Sequence, residues 1–267
     1  MTPGAPEPSA RASLPRAREA AARERSPLWR DRLQARLTAY FPMPVRMANW
    51  RGIKALVEPR DLATYATLLP QTLVMPAQPL ILVEYAEVSP TWHEGIVSIG
   101  CRFGDDVGWH GVYWAIDSYF PYAFGRFVGY PKFRADRMTF RRDGSHAQGD
   151  VFHRGRHAFA VAFAPYAGDA PEADASLLSR IGLPAAELPH YLLVPADRGP
   201  WLNRLSHTEV VSRPPTVHEG RVTVQVDVDE PWAALFEGGR ASGPGKLLAT
   251  DGIGFGWLTA RRVGWPR

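Results

Sequence analysis

Apolar and polar positions alternate along much of this chain with the two-residue period of half-buried strands, and the 3.6-residue period of helices is confined to short stretches. The clearest case is the run in which Val222, Val224, Val226 and Val228 are interleaved with Thr223, Gln225 and Asp227. The runs from Pro79 to Val88, Ile96 to Phe103, Val112 to Ile116, His157 to Phe163 and Ile253 to Thr259 are apolar with β-branched content and predict further strands. Helical spacing recurs at Leu28, Trp29, Leu33, Leu37 and Tyr40, behind the start signal Ser26-Pro27 and before Pro42 and Pro44. A second short helix is predicted from Asp61, as N-cap, through Leu62, Tyr65, Leu68 and Leu69 to a stop at Pro70. Pro and Gly cluster between these runs, as at Pro165 to Pro171 and Gly238 to Gly245. Many strands, few helices and no βαβ rhythm predict a mainly β (α+β) fold, a barrel or sandwich with peripheral helices.

The segment before Pro27 changes this picture little. Residues 1–26 are rich in Ala, Arg and Pro, lack an apolar middle and carry Glu7, Glu19 and Glu24, which argues against a secretory or transit signal. They read as a disordered leader, with residues 27–267 as one domain. Five arginines from Arg11 to Arg25 set against those three glutamates account for half of the net charge of +4. The body is nearly balanced, and no basic cluster marks a nucleic-acid surface. No apolar run approaches the length of a membrane span. The single cysteine, Cys101, excludes an internal disulfide and reads as a buried small hydrophobe. These features point to the cytoplasm.

Of 31 basic residues only three are lysine: Lys54, Lys132 and Lys246. Where arginine replaces lysine almost everywhere, a retained lysine raises the question of what arginine cannot do, which is to lose its proton and act as a nucleophile. Lys132 closes a segment, Trp109 to Phe133, with ten aromatic residues in 25, against 11% in the whole chain. Such a segment can line a pocket and exclude water, and apolar burial disfavours the charged form of an amine. A neutral lysine can attack a ketone carbonyl. The opposing reading is a solvated lysine in a turn after Pro131, with the aromatics simply forming core.

Other chemistry finds less support. His93, His110, His153 and His157 fall on different elements, and His153-x-x-x-His157 lies among strand and turn signals, so no metal site is expected. No Gly-x-Ser-x-Gly elbow is present. Gly252 to Gly256 opens no helix for phosphate binding and reads as close strand packing.

Gly129-Tyr130-Pro131-Lys132 behind its aromatic segment resembles the active-site region of the acetoacetate decarboxylase family. The resemblance extends to Asn49-Trp50-Arg51, Val57-Glu58-Pro59-Arg60-Asp61 and Leu68-Leu69-Pro70. It also takes in Pro79-Leu80-Ile81-Leu82-Val83-Glu84 and Trp92-His93-Glu94-Gly95. It implies a closed, cone-shaped β-barrel with flanking helices, a homo-oligomer, no cofactor or metal, and a small keto-acid substrate. It implies Lys132 as Schiff-base nucleophile, Glu94 and Glu84 as positioning or proton-transfer groups, and Arg51 as carboxylate anchor, with Tyr130, Phe133 and Tyr113 lining the substrate. The chain departs from the family at Phe133, where a second lysine follows the nucleophile. The implied function is decarboxylation of a β-keto acid. The alternatives are a Schiff-base aldolase or dehydratase acting on α-keto acids, and a non-catalytic barrel that binds a small acid.

Overall fold

The structure, a computed structural model, describes residues 43–48, 50–181, 188–194, 201–211, 215–250 and 253–264. The leader, and the helix predicted from Leu28 to Tyr40, lie outside the described residues. Strands dominate, as the alternation predicts. In chain order they are β1 (Met43–Ala48), β2 (Arg51–Val57), β3 (Ile81–Ser89), β4 (Trp92–Phe103), β5 (Asp106–Ile116), β6 (Lys132–Arg134) and β7 (Arg137–Asp143). There follow β8 (His146–His153), β9 (Arg156–Pro165), β10 (His190–Val194), β11 (Trp201–Val211), β12 (Thr216–Val226), β13 (Arg240–Ala249) and β14 (Ile253–Gly264). Three α-helices lie among the described residues: α1 (Leu62–Leu68), α2 (Tyr119–Val128) and α3 (Glu172–Arg180).

Asp61 caps α1 as expected, its carboxylate accepting from the backbone N–H groups of Ala63 and Thr64 at 2.8 and 3.1 Å. Helix α2 lies within the aromatic segment and is not marked by its apolar spacing. Pro121 sits in its first turn, and Gly129 closes it in the left-handed conformation (φ 105°), donating its N–H to the Arg126 and Gly125 carbonyls.

All the strands belong to one sheet, ordered β1-β14-β11-β10-β5-β4-β3-β2-β13-β12-β9-β8-β7, with β6 paired to β5. Pairing is antiparallel except where β10 and β6 join β5. The ends of the path turn back on the sheet, β7 against β4 and β1 against β3. The two end strands are not paired with each other, so among the described residues the expected barrel is curled without being closed by hydrogen bonds. One face of the central strands is filled by the main apolar core, which includes Ile53, Val83, Tyr85, Val97, Tyr113, Phe159 and Trp232. Glycine lets distant strands meet there: a Cβ on Gly149 would strike the Tyr85 ring. The opposite face carries the candidate site.

Candidate active site

Strand register brings the chemistry together. Lys246 stands opposite Lys54, Lys54 opposite Glu84, Glu84 opposite Ile96, Ile96 opposite Trp114, and Trp114 opposite Lys132. Directly paired residues share a face. All three lysines of the chain therefore lie on one face, in a row crossing from β13 to β6. Glu94, two residues before Ile96 in β4, joins the same face by alternation. Glu94 lies inside β4 and is buried.

Lys132 is delivered to this face by a short, constrained connection. Its backbone N–H donates to the Tyr130 carbonyl at 2.7 Å, and the Tyr130 N–H donates to the Gly125 carbonyl of α2 at 2.9 Å. The Arg126 guanidinium donates to the Lys132 carbonyl at 3.1 Å. Glycine at 125 leaves the path of the lysine open, because a Cβ there would lie 2.6 Å from Lys132 Cε and 3.1 Å from Nζ. The lysine passes straight over the helix backbone.

The Lys132 side chain is only 6% exposed, and its Nζ donates to Glu94 Oε1 at 2.8 Å. It also lies 5.0 Å from the centre of the Trp114 ring and 5.3 Å from that of Tyr130. Glu94 is fixed from two sides, by Trp92 Nε1 on Oε1 and Trp114 Nε1 on Oε2, each at 3.1 Å. Such charge-assisted bonds hold a carboxylate in one orientation. A second buried pair stands further along the row, with Lys54 Nζ 2.9 Å from Glu84 Oε1. Tyr130 stands near the carboxylates of both pairs. Burial pushes its hydroxyl above the usual range, and the charges of Glu94 and then Glu84 push it the same way. The surroundings of the amine are thus ring-lined, as the aromatic content suggests, but they also hold a carboxylate directly on it.

Three of the expected substrate-lining residues do not join this cluster. Phe133 follows Lys132 in β6 and Tyr113 precedes Trp114 in β5, so both fall on the core face. Their rings lie 4.8 Å apart, and Tyr113 packs on Trp232 at 4.5 Å. Arg51 stands opposite Glu87 in β2, one face away from Lys54 and Glu84. Tyr130, Glu84, Glu94 and Lys132 are brought together. Lys54, Trp92, Trp114 and Gly125 are site residues that sequence reading missed. For Lys54 the signal was present, since its spacing of two from Gly52 and Leu56 and its rarity as a lysine were both visible, but its cross-strand partner was not.

On the core side, His93 forms a separate polar cluster. Its Nδ1 lies 2.6 Å from Asp117 Oδ2 and its Nε2 3.6 Å from Glu87 Oε2. Burial alone would lower the His93 pKa, but the two carboxylates outweigh it and hold the pKa above the usual value. His110, whose Nδ1 lies 2.7 Å from the Tyr191 carbonyl, is pushed down to about 4 by burial. Cys101 is fully buried, and its thiol is pushed up to about 12 by desolvation. Among the described residues no group of three or more His, Cys, Asp and Glu side chains converges to hold a metal ion. No helix among them is long and apolar enough to cross a membrane.

Residues 34–237 match the family described as acetoacetate decarboxylase (ADC). No curated protein matches the chain in sequence. Among solved structures, the chain is similar to an acetoacetate decarboxylase from Legionella pneumophila, at 15% identity and a TM-score of 0.64, covering 85% of this chain and 90% of that one. It is similar to an acetoacetate decarboxylase-like enzyme from Sphingomonas wittichii RW1 at 17% identity and a TM-score of 0.56, over 83% and 95% of the two chains. It is also similar to MppR, an enduracididine biosynthesis enzyme complexed with pyruvate, at 15% identity and a TM-score of 0.58, over 83% and 91%. MppR is further known with the condensation product of pyruvate and imidazole 4-carboxaldehyde. At these identities the likeness is one of fold.

Proposed function

This chain is an enzyme of the acetoacetate decarboxylase family, and we propose that it acts without a cofactor, through a Schiff base formed by Lys132 on a small keto acid. The reading rests on one observation: a buried lysine amine held 2.8 Å from a buried carboxylate, beside two aromatic rings, at the position where the family resemblance calls for a nucleophile.

A proton passed from Lys132 Nζ to Glu94 frees the lone pair of the amine. The amine then adds to the ketone carbon, and loss of water gives the iminium. In a β-keto acid, the bond between the α-carbon and the carboxylate breaks, and its electron pair moves toward the iminium nitrogen. Carbon dioxide leaves. Glu94, reprotonated from water after its first proton departs with the lost water, is placed to deliver a proton to carbon, and hydrolysis of the remaining iminium frees the ketone and the lysine. Trp92 and Trp114 hold Glu94 in line throughout, so the proton has a fixed acceptor and donor. A homo-oligomer in the cytoplasm, with residues 27–267 forming a single domain, belongs to the same proposal.

A second reading is supported by the solved MppR structures, whose fold the chain resembles. The same iminium can serve aldol addition or dehydration of an α-keto acid, and the MppR structures hold pyruvate and a pyruvate condensation product. Incubation with acetoacetate, and separately with pyruvate plus an aldehyde, distinguishes the two by product. Decarboxylation yields carbon dioxide and acetone in the first case. Aldol chemistry yields a condensed acid in the second and leaves acetoacetate intact.

A further inference from the structure

We propose that the cavity between the last turn of α3 and the starts of β3 and β5 is a second ligand site, suited to a small apolar carboxylate and separate from the site of Lys132. The cavity measures about 590 Å³, within the ordinary range for small-molecule sites. Its floor is apolar: Leu80, Trp109 and Ile181 line it and are buried. Val107 and Leu188 line it as well and are exposed, so apolar surface runs uncovered from the floor to the mouth. The cavity lies away from the proposed nucleophile. Gly100 of β4 borders it, and six residues of that strand, about 20 Å, separate Gly100 from Glu94. None of Lys132, Glu94, Trp114 and Tyr130 lines it.

The charged groups of this cavity carry one sign. Lys246 and Arg180 line it, and no acidic side chain does. Lys54 and Lys132 each lie within 2.9 Å of a glutamate. Lys246 meets Glu219 only at 3.7 Å, too long for a hydrogen bond, and Glu219 is itself half exposed. Yet the Lys246 side chain is only 12% exposed, so an ammonium largely withdrawn from water keeps its donors for a ligand. Arg180 is held at the rim, donating from Nη1 to Gln78 Oε1 at 2.5 Å, which leaves its other nitrogens to face an anion. Lys246 and Arg180 against Glu219 leave one positive charge in excess, which favours a monoanion. A carboxylate at Lys246, with its hydrocarbon body on Leu80, Trp109 and Ile181, matches both parts of the lining. A cation would be repelled, and a neutral apolar molecule would leave the ammonium unmatched.

The test uses octanoate, its neutral analogue octanamide and its cationic analogue octylammonium, each titrated calorimetrically into the whole chain. The wild-type protein should bind octanoate about tenfold or more tighter than octanamide, the scale of one charge-assisted hydrogen bond, and octylammonium more weakly still. Lys246→Met should remove that preference while leaving octanamide binding unchanged, and Lys246→Arg should keep part of it. Val107→Trp, at an exposed position on the mouth, should weaken octanoate and octanamide alike, and gives the answer if Lys246→Met does not fold. A diazirine analogue of octanoate locates the ligand: irradiation should label peptides bearing Trp109 or Ile181. The proposal is overturned by absence of octanoate binding, by equal binding of octanoate and octanamide, or by an undiminished preference in Lys246→Met. Unaltered binding in Val107→Trp, or label confined to the peptide of Tyr130 to Lys132, overturns it too. None of these readouts depends on a bond to Lys132, so the Schiff-base reading stands or falls separately.

Discussion

Lys132 and Phe133 are adjacent in β6 yet serve opposite sides of one sheet. The lysine reaches Glu94 at 2.8 Å on the site face, and the phenylalanine ring packs 4.8 Å from Tyr113 in the core. The two-residue period of a strand makes this separation unavoidable. Phe133 therefore cannot be read as an apolar substitute for a second catalytic cation.

Restoring the family's lysine at that position should fail for this reason. Phe133→Lys would place an ammonium among Tyr113, His153 and the core, with loss of the ring packing. A destabilisation of about 3 kcal/mol is expected, with no gain in turnover of acetoacetate. Chemical denaturation and a decarboxylation assay measure the two outcomes. An active, undamaged variant would show that the residue after the nucleophile reaches the site after all.

Glu94 is held by two indole N–H groups and the Lys132 ammonium. Glu94→Gln keeps the shape but removes the charge and the proton acceptor. Loss of general acid–base assistance should lower turnover by about 10²–10⁴-fold, and stability should fall by about 3 kcal/mol through the lysine left unpaired. Steady-state kinetics on folded protein, verified by thermal melting, would detect a variant that keeps near-normal rates, and such a variant would remove Glu94 from proton transfer.

Gly125 offers a test in which stability and activity move apart. Within α2 an alanine is favoured over glycine by roughly 1 kcal/mol, yet its Cβ would lie on the aliphatic stem of Lys132. Gly125→Ala should fold and melt close to the wild type while the displaced amine loses at least about 10²-fold in rate, the cost of a misplacement near 1 Å. Equal activity in the two proteins would mean that the path of Lys132 over α2 does not matter.

Much of this arrangement was legible in the sequence, and the reason differs from element to element. Alternating valines gave β12, and Asp61 with Pro70 gave α1, because strand period and helix caps are local signals. Helix α2 was hidden because its aromatic residues mask helical spacing, although Pro121 and Gly129 marked its ends. Lys132, Glu94 and Glu84, singled out through ordered motifs, and Tyr130, singled out beside the expected nucleophile, are brought together by the fold. Arg51, Tyr113 and Phe133 were misplaced because a one-residue offset along a strand reverses the face, and a motif does not carry that phase. Lys54 was missed because its meaning lies in its partner on β3, Glu84, and pairing is not local.

The buried histidine of β5 predicts a pH dependence of folding. The pKa of His110 is about 4 in the folded protein against an ordinary value of 6.5. The unfolded chain therefore binds a proton that the folded one refuses between those values. The neutral imidazole's contribution is complete above pH 6.5 and is lost as pH falls toward 4, by about 1.4 kcal/mol per pH unit within the window. His110→Asn keeps a donor for the Tyr191 carbonyl and lacks the titration, so its unfolding free energy should show a shallower slope from pH 6.5 to 4 by that amount. Parallel curves for the two proteins would contradict the buried neutral state.

The central claim is that the Lys132 amine becomes covalently joined to a keto acid. Borohydride reduction in the presence of acetoacetate or pyruvate, followed by peptide mass spectrometry, tests it most directly. The wild-type protein should gain a substrate-derived mass at Lys132, and Lys132→Arg, which keeps the charge without the nucleophile, should gain none. The same mass in both proteins, or no substrate mass on Lys132 with either acid, would contradict the account.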